Sequence, residues 1–184
     1  MEAMFCGAHA FNQPISDWRV AKVTNMHSMF QDASWFNQPI GGWRVDKVTN
    51  MEAMFCGAHA FNQPISDWNV DKVTNMCEMF HGAEAFNQPI GDWNVGSVTN
   101  MNWMFRHASA FDQGLGWCVD DNVDLEDAFR DTPCELTSCG VTQEADCGAP
   151  TPAPIAGSPT SAPIAGSVMD DSRIRTAVVL SLIH

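Results

Sequence analysis

The chain has 184 residues, with 9 Lys and Arg against 22 Asp and Glu, for a formal net charge of −13. That balance excludes the basic surface that nucleic-acid binding depends on. No apolar run approaches the roughly 20 residues that a membrane-crossing helix needs.

From residue 1 onward the sequence repeats itself. Trp18, Trp43, Trp68 and Trp93 stand one constant interval apart, as do Met1, Met26, Met51, Met76 and Met101, and Phe11, Phe36, Phe61, Phe86 and Phe111. A fixed period of this length is the signature of stacked repeat units. Columns that stay apolar in nearly every copy, represented by Met51, Met54, Phe55, Ala58, Phe61, Ile65, Trp68, Val70 and Val73, predict the core.

Two periodicities divide each unit. Met51, Met54, Phe55 and Ala58 fall at i, i+3, i+4 and i+7, which predicts a two-turn helix. Thr49 is its expected N-cap, Glu52 would complete a capping box, and Gly57 would end it. Trp68 and Val70 alternate with Asn69 and predict a short half-buried strand. Asn62, Gln63 and Pro64 form the return loop. Neither element is stable alone, so the units are expected to stack with their strands paired in parallel.

Met1 coincides with Met26 and Met51, so the sequence starts within a unit, and upstream sequence is expected. Residues 1 to 18 are identical to 51 to 68, as after duplication of a two-unit block. Downstream, Trp117, Val119, Val123, Leu125, Phe129 and Thr132 follow the pattern with altered spacing and predict a degenerate last coil.

The segment 112 to 146 holds ten acidic residues and one basic residue, Arg130. It reads as a solvated end. Asp120, Asn122, Asp124, Glu126 and Asp131 match positions of a calcium loop, but Leu125 stands where that loop needs glycine, so no calcium site is expected. Cys6 and Cys56 occupy one column two units apart, about 10 Å by strand spacing, beyond bridging range. Cys118, Cys134, Cys139 and Cys147 form an even set and predict two disulfides, with three connectivities open. Such bonds imply an oxidising compartment and an extracellular or cell-surface location. A zinc site there ranks lower, because no C-x-x-C pair is present.

The expected organisation is a repeat domain over 1–134, a cysteine-containing cap over 135–147, a Pro/Ala/Ser/Gly-rich linker over 148–168 and a tail over 169–184. The linker carries APIAGS twice and reads as an extended stalk. The tail could be the start of another module.

The phrase W.V..VTNM..MF..A..FNQ.I, together with Ile-x-x-Trp-x-Val-x-x-Val at 65 to 73, resembles the 25-residue repeats of the BspA-like leucine-rich-repeat surface proteins. The resemblance covers residues 1 to about 134. It implies an α/β repeat solenoid, a right-handed leucine-rich-repeat-like stack of short parallel strands and two-turn helices, one coil per repeat. It also implies secreted or surface-anchored proteins that act by adhesion or protein contact and not by a reaction.

No catalytic constellation is apparent. His9, His59, His81 and His107 lack a recurring nucleophile or carboxylate partner, and phosphate loops and nucleophile elbows are absent. No enzyme activity, cofactor or metal is expected. Function should then reside on repeated surfaces. Arg19, Arg44, Asn69 and Asn94 form an outward ladder, continued by Cys118, beside Asp17, Asp67 and Asp92 and beside Lys22, Lys47 and Lys72. This strip is the candidate site for a surface protein or glycan. A passive spacer of a surface protein is the alternative. An ice- or crystal-templating face along the threonine and asparagine columns ranks third.

Overall fold

The computed structural model describes residues 1–134, 136, 138–145 and 147. The expected linker and tail, 148–168 and 169–184, lie outside the described residues. Among the described residues there is no α-helix. The only paired strands among them are β1 (Cys118–Val119) and β2 (Thr142–Gln143), which run parallel with Cys118 opposite Thr142 and Val119 opposite Gln143.

The segment expected to be helical is a run of turns. In the unit beginning at Met51, the amides of Met51, Ala53, Phe55 and Gly57 donate to the carbonyls of Asn75, Cys77, Met79 and His81 of the next unit, at 3.0, 2.8, 2.9 and 2.8 Å. Between them, Met54, Cys56 and Ala58 donate back three residues to Met51, Ala53 and Phe55. A helix would keep all these bonds inside one unit. Here alternate amides bond the neighbouring unit, and the pattern recurs from the first unit to the fifth, whose Met101, Trp103, Phe105 and His107 amides reach the last coil.

Backbone conformation explains why a helix cannot form. Two positions per unit turn left-handed: Ala3, Ser28, Ala53, Glu78, Trp103 and Asp127 have φ of 49 to 57°, and the column of Gly7, Asp32, Gly57, Gly82, His107 and Asp131 is likewise positive, at 56 to 70°. Each left-handed non-glycine residue costs about 1–2 kcal/mol, offset by the inter-unit bonds. The second column is filled by Gly, Asp and His, types that tolerate this region. The spacing of Met51, Met54, Phe55 and Ala58 therefore identifies the buried face correctly, since all four are enclosed, but successive turns bury the same positions as a helix would.

The expected strand at Trp68 to Val70 is also absent. Parallel bridges join the units further along the chain, at the asparagine column, linking Asn25, Asn50, Asn75, Asn100 and Asp124 in sequence. Among the described residues, a regular strand forms at the Trp-x-Val position only in the last coil, where β1 finds β2.

Thr49 is not a helix cap. Its amide and hydroxyl both donate to the Thr24 carbonyl, and Thr74 and Thr99 repeat this arrangement on the preceding threonine. Glu52 does not close a capping box. Its amide donates to Asn50 Oδ1 at 2.8 Å, and its carboxylate accepts from Asn75 Nδ2 at 2.9 Å.

The core is a set of columns. Phe30, Phe55, Phe80 and Phe105 stack with centroids 5.5 to 5.7 Å apart, and Phe36, Phe61, Phe86 and Phe111 stack at 5.9 to 6.0 Å. Burying each ring is worth roughly 1.5–3 kcal/mol. Buried indoles need a partner for the N–H. Trp43, Trp68 and Trp93 donate to the carbonyls of Ile15, Ile40 and Ile65, each at 3.2 Å. Trp117, displaced by the altered spacing of the last coil, donates to Gly91.

The end of the array is held by two disulfides, Cys118–Cys147 and Cys134–Cys139. This is one of the three connectivities open to the four cysteines. Cys6, Cys56 and Cys77 are free.

Candidate functional site

The expected ligand-binding strip is solvent-facing. Arg19, Arg44, Asn69, Asn94, Asp17, Asp67, Asp92, Lys22, Lys47 and Lys72 line the outer side of the stack, flanked by buried Trp43, Val45, Trp68, Val70, Trp93 and Val95. Asp17, Arg19 and Arg44 border one groove with the partly exposed Trp18. Asn94 borders another groove with Cys118 and Cys147. Local bonds take part of the strip's capacity. Arg44 pairs with Asp46 at 3.1 Å, and the Oδ1 atoms of Asn69 and Asn94 accept the amides of Asp71 and Gly96.

The acidic end does not gather into a cation loop. Asp120 accepts the amide and side chain of Asn122, and the backbone bond holds its carboxyl below the usual range. Asp124 and Glu126 lie near Asn102 Nδ2, whereas Asp131 turns to His107 Nδ1 at 3.0 Å.

A denser constellation lies on the turn side of the third to fifth units. Cys56 Sγ is 3.9 Å from Glu78 Oε2, which is 3.8 Å from His81 Nδ1. The ligating atoms of Cys56, Glu78 and His81 all lie within 4.8 Å of one another. Beside them the His81 ring meets Trp103 edge-on at 6.0 Å and His107 at 5.6 Å, and the Arg106 guanidinium sits 4.5 Å over the Trp103 ring. Arg106 and Arg130 share Asp127 at 3.6 and 3.1 Å.

Three side-chain nitrogens in this patch, His81 Nδ1, Trp103 Nε1 and Arg106 Nε, are buried without a hydrogen-bond partner. Burial, then the Glu78 charge, pushes the Cys56 thiol up to about 12 and the Cys77 thiol up to about 11. Burial is also the main reason the His81 imidazole titrates below its usual range.

Sequence reasoning passed over this patch because Cys56 and His81 are a full repeat apart and form no compact motif. The signal was in the columns that do not repeat. One reads Cys6, Gln31, Cys56, His81, Arg106 and Arg130, and its neighbour reads Ala3, Ser28, Ala53, Glu78, Trp103 and Asp127. Stacking turns each column into adjacency.

These bonds and columns define a tandem-repeat protein whose units are joined through backbone and side-chain ladders. Residues 1–69 and 38–135 match the family described as DUF285, a Mycoplasma protein of unknown function, and the chain belongs to that family. No curated protein and no solved structure matches the chain. No helix among the described residues is long and apolar enough to cross a membrane. The two disulfides are compatible with an oxidising, extracellular setting.

Proposed function

We propose that this chain is a non-enzymatic recognition module of the cell surface, binding a surface protein or glycan through the ladder of Arg19, Arg44, Asn69 and Asn94. The observation that supports this reading is the repetition of an exposed polar side chain between buried Trp and Val positions in successive units. The indole bonds of the adjacent Trp43, Trp68 and Trp93 hold the backbone beside this ladder to the preceding unit, which lowers the ordering cost on binding. Asp17, Asp67 and Asp92, with Lys22, Lys47 and Lys72, supply the mixed charge beside it.

The finer relationship to the BspA-like leucine-rich-repeat surface proteins, and a solenoid path for the stacked coils, belong to the same proposal. They rest on the repeated phrase and not on strands at Trp68 to Val70. Extracellular display, suggested by the cap disulfides, fits this role.

The test is binding of the full chain to a panel of glycans and surface proteins, beside a variant with Arg19, Arg44, Asn69 and Asn94 all changed to Ala. Binding by the parent that is lost in the folded variant supports recognition through this face. Absence of binding in both favours the spacer reading, and equal binding moves the site elsewhere.

A further inference from the structure

We propose that Cys56, Glu78 and His81 form a site for a borderline-soft divalent cation, Zn²⁺ by ligand type, which clamps the third repeat unit to the fourth. This site is independent of the recognition face described above.

The donor set comes first. A thiol, a carboxylate and an imidazole are the three ligand types zinc takes, at about 2.3 Å to sulfur and 2.0–2.2 Å to nitrogen and oxygen. Tetrahedral bonds of those lengths place ligand atoms roughly 3.3–3.7 Å apart. Here Cys56 Sγ to Glu78 Oε2 is 3.9 Å and Glu78 Oε2 to His81 Nδ1 is 3.8 Å, and one ligand atom from each of the three residues lies within 4.8 Å of the others. Small side-chain rotations would close the set.

The second observation is the orphaned nitrogen. His81 Nδ1 is buried and makes no hydrogen bond, with the Glu78 carboxylate standing off at 3.8 Å, although buried polar atoms nearly always find a hydrogen-bond partner. A cation at the centre of the three atoms would satisfy it. Trp103, edge-on at 6.0 Å, and His107, at 5.6 Å, pack against the imidazole and restrict its rotation.

The third observation is contrast with other His and carboxylate contacts. His27 lies 3.7 Å from both Glu2 and Glu52, but through different ring nitrogens, so those carboxylates flank the ring and do not converge on one point. Among the described residues the Cys56 cluster is the one in which three donors converge. On binding, the Cys56 thiol releases its proton to solvent, its sulfur and the Glu78 carboxylate donate electron pairs to the cation, and His81 binds through Nδ1 with its proton on Nε2. Three protein ligands leave a fourth position for water or for a group from a partner.

The test is anaerobic titration of the full, disulfide-intact chain with Zn²⁺ by calorimetry and with Co²⁺ by absorption, following thiolate-to-cobalt charge transfer. The expected result is one ion per chain, a charge-transfer band, and a higher melting temperature with Zn²⁺. Cys56→Ser and His81→Gln should each weaken binding beyond the ~10–100-fold that outer-sphere changes cost, and Cys56→Ser should abolish the band. Cys77→Ser and Cys6→Ser should leave affinity within about twofold. Glu78→Gln, which keeps the shape of the side chain, provides a further test should Cys56→Ser fold poorly. Absence of a stoichiometric ion, a charge-transfer band that survives Cys56→Ser, or equal loss in Cys77→Ser would overturn the proposal.

Discussion

The backbone amide of Asn62 donates to Asn37 Oδ1 at 3.0 Å, and the neighbouring Gln63 side chain donates to the same Oδ1 at 2.9 Å and to the Asn37 carbonyl at 3.0 Å. The arrangement runs from Asn12 to Asp112, so each asparagine serves the unit after it. Asn62→Ala would remove the acceptor used by the Asn87 amide and by Gln88. A loss of about 1–3 kcal/mol is expected in denaturant unfolding. Asn62→Asp, which keeps the acceptor, should cost less.

The indole of Trp68 supplies a separate test of the inter-unit bonds. Trp68→Phe keeps an apolar ring but removes one of the two donors to the Ile40 carbonyl, which retains the Trp43 amide at 3.0 Å. Unfolding should be easier by about 0.5–1.5 kcal/mol from the lost hydrogen bond, with a further contribution from lost volume. At Trp18, which is 37% exposed, the same change should cost much less. Equal effects at the two sites would mean that packing alone accounts for the recurrence of Trp in this column.

The two disulfides should contribute unequally. Cys118–Cys147 closes a separation of 29 residues and Cys134–Cys139 one of 5. Chain-entropy reasoning gives about 3 kcal/mol or more for the longer loop and distinctly less for the shorter. Unfolding of paired Cys118→Ser/Cys147→Ser and Cys134→Ser/Cys139→Ser variants measures both, and peptide mapping without reduction checks the connectivity.

The free thiols should differ in reactivity. The thiolate is the reacting species, and Cys56 and Cys77 are pushed up to about 12 and about 11, respectively. Cys6 is exposed. In the metal-free protein at pH 8, alkylation of Cys6 should outpace that of Cys56 and Cys77 by at least about tenfold, followed by mass spectrometry. As pH rises toward 11 the gap to Cys77 should narrow, because its thiolate fraction grows there. Equal rates at pH 8 would contradict the burial assigned to these side chains.

The period, the buried columns and the four cap cysteines were legible in the sequence because stacking demands the same apolar residue at the same place in every unit. Met51, Met54, Phe55, Ala58 and Trp68 are core for that reason. Conformation between those columns was not legible. The spacing i, i+3, i+4, i+7 buries the same residues whether the backbone is a helix or successive turns. What decides between them is the partner of each amide, and for Ala53, Phe55 and Gly57 that partner lies in the next unit. The same separation hid Cys56, Glu78 and His81, since one whole repeat of sequence becomes a single step of the stack. Sequence thus determined which side chains face inward, through the periodic burial of apolar surface. Only the tertiary structure decided which backbone groups and which non-repeating side chains meet, because those contacts form between units and depend on the register of one unit against the next.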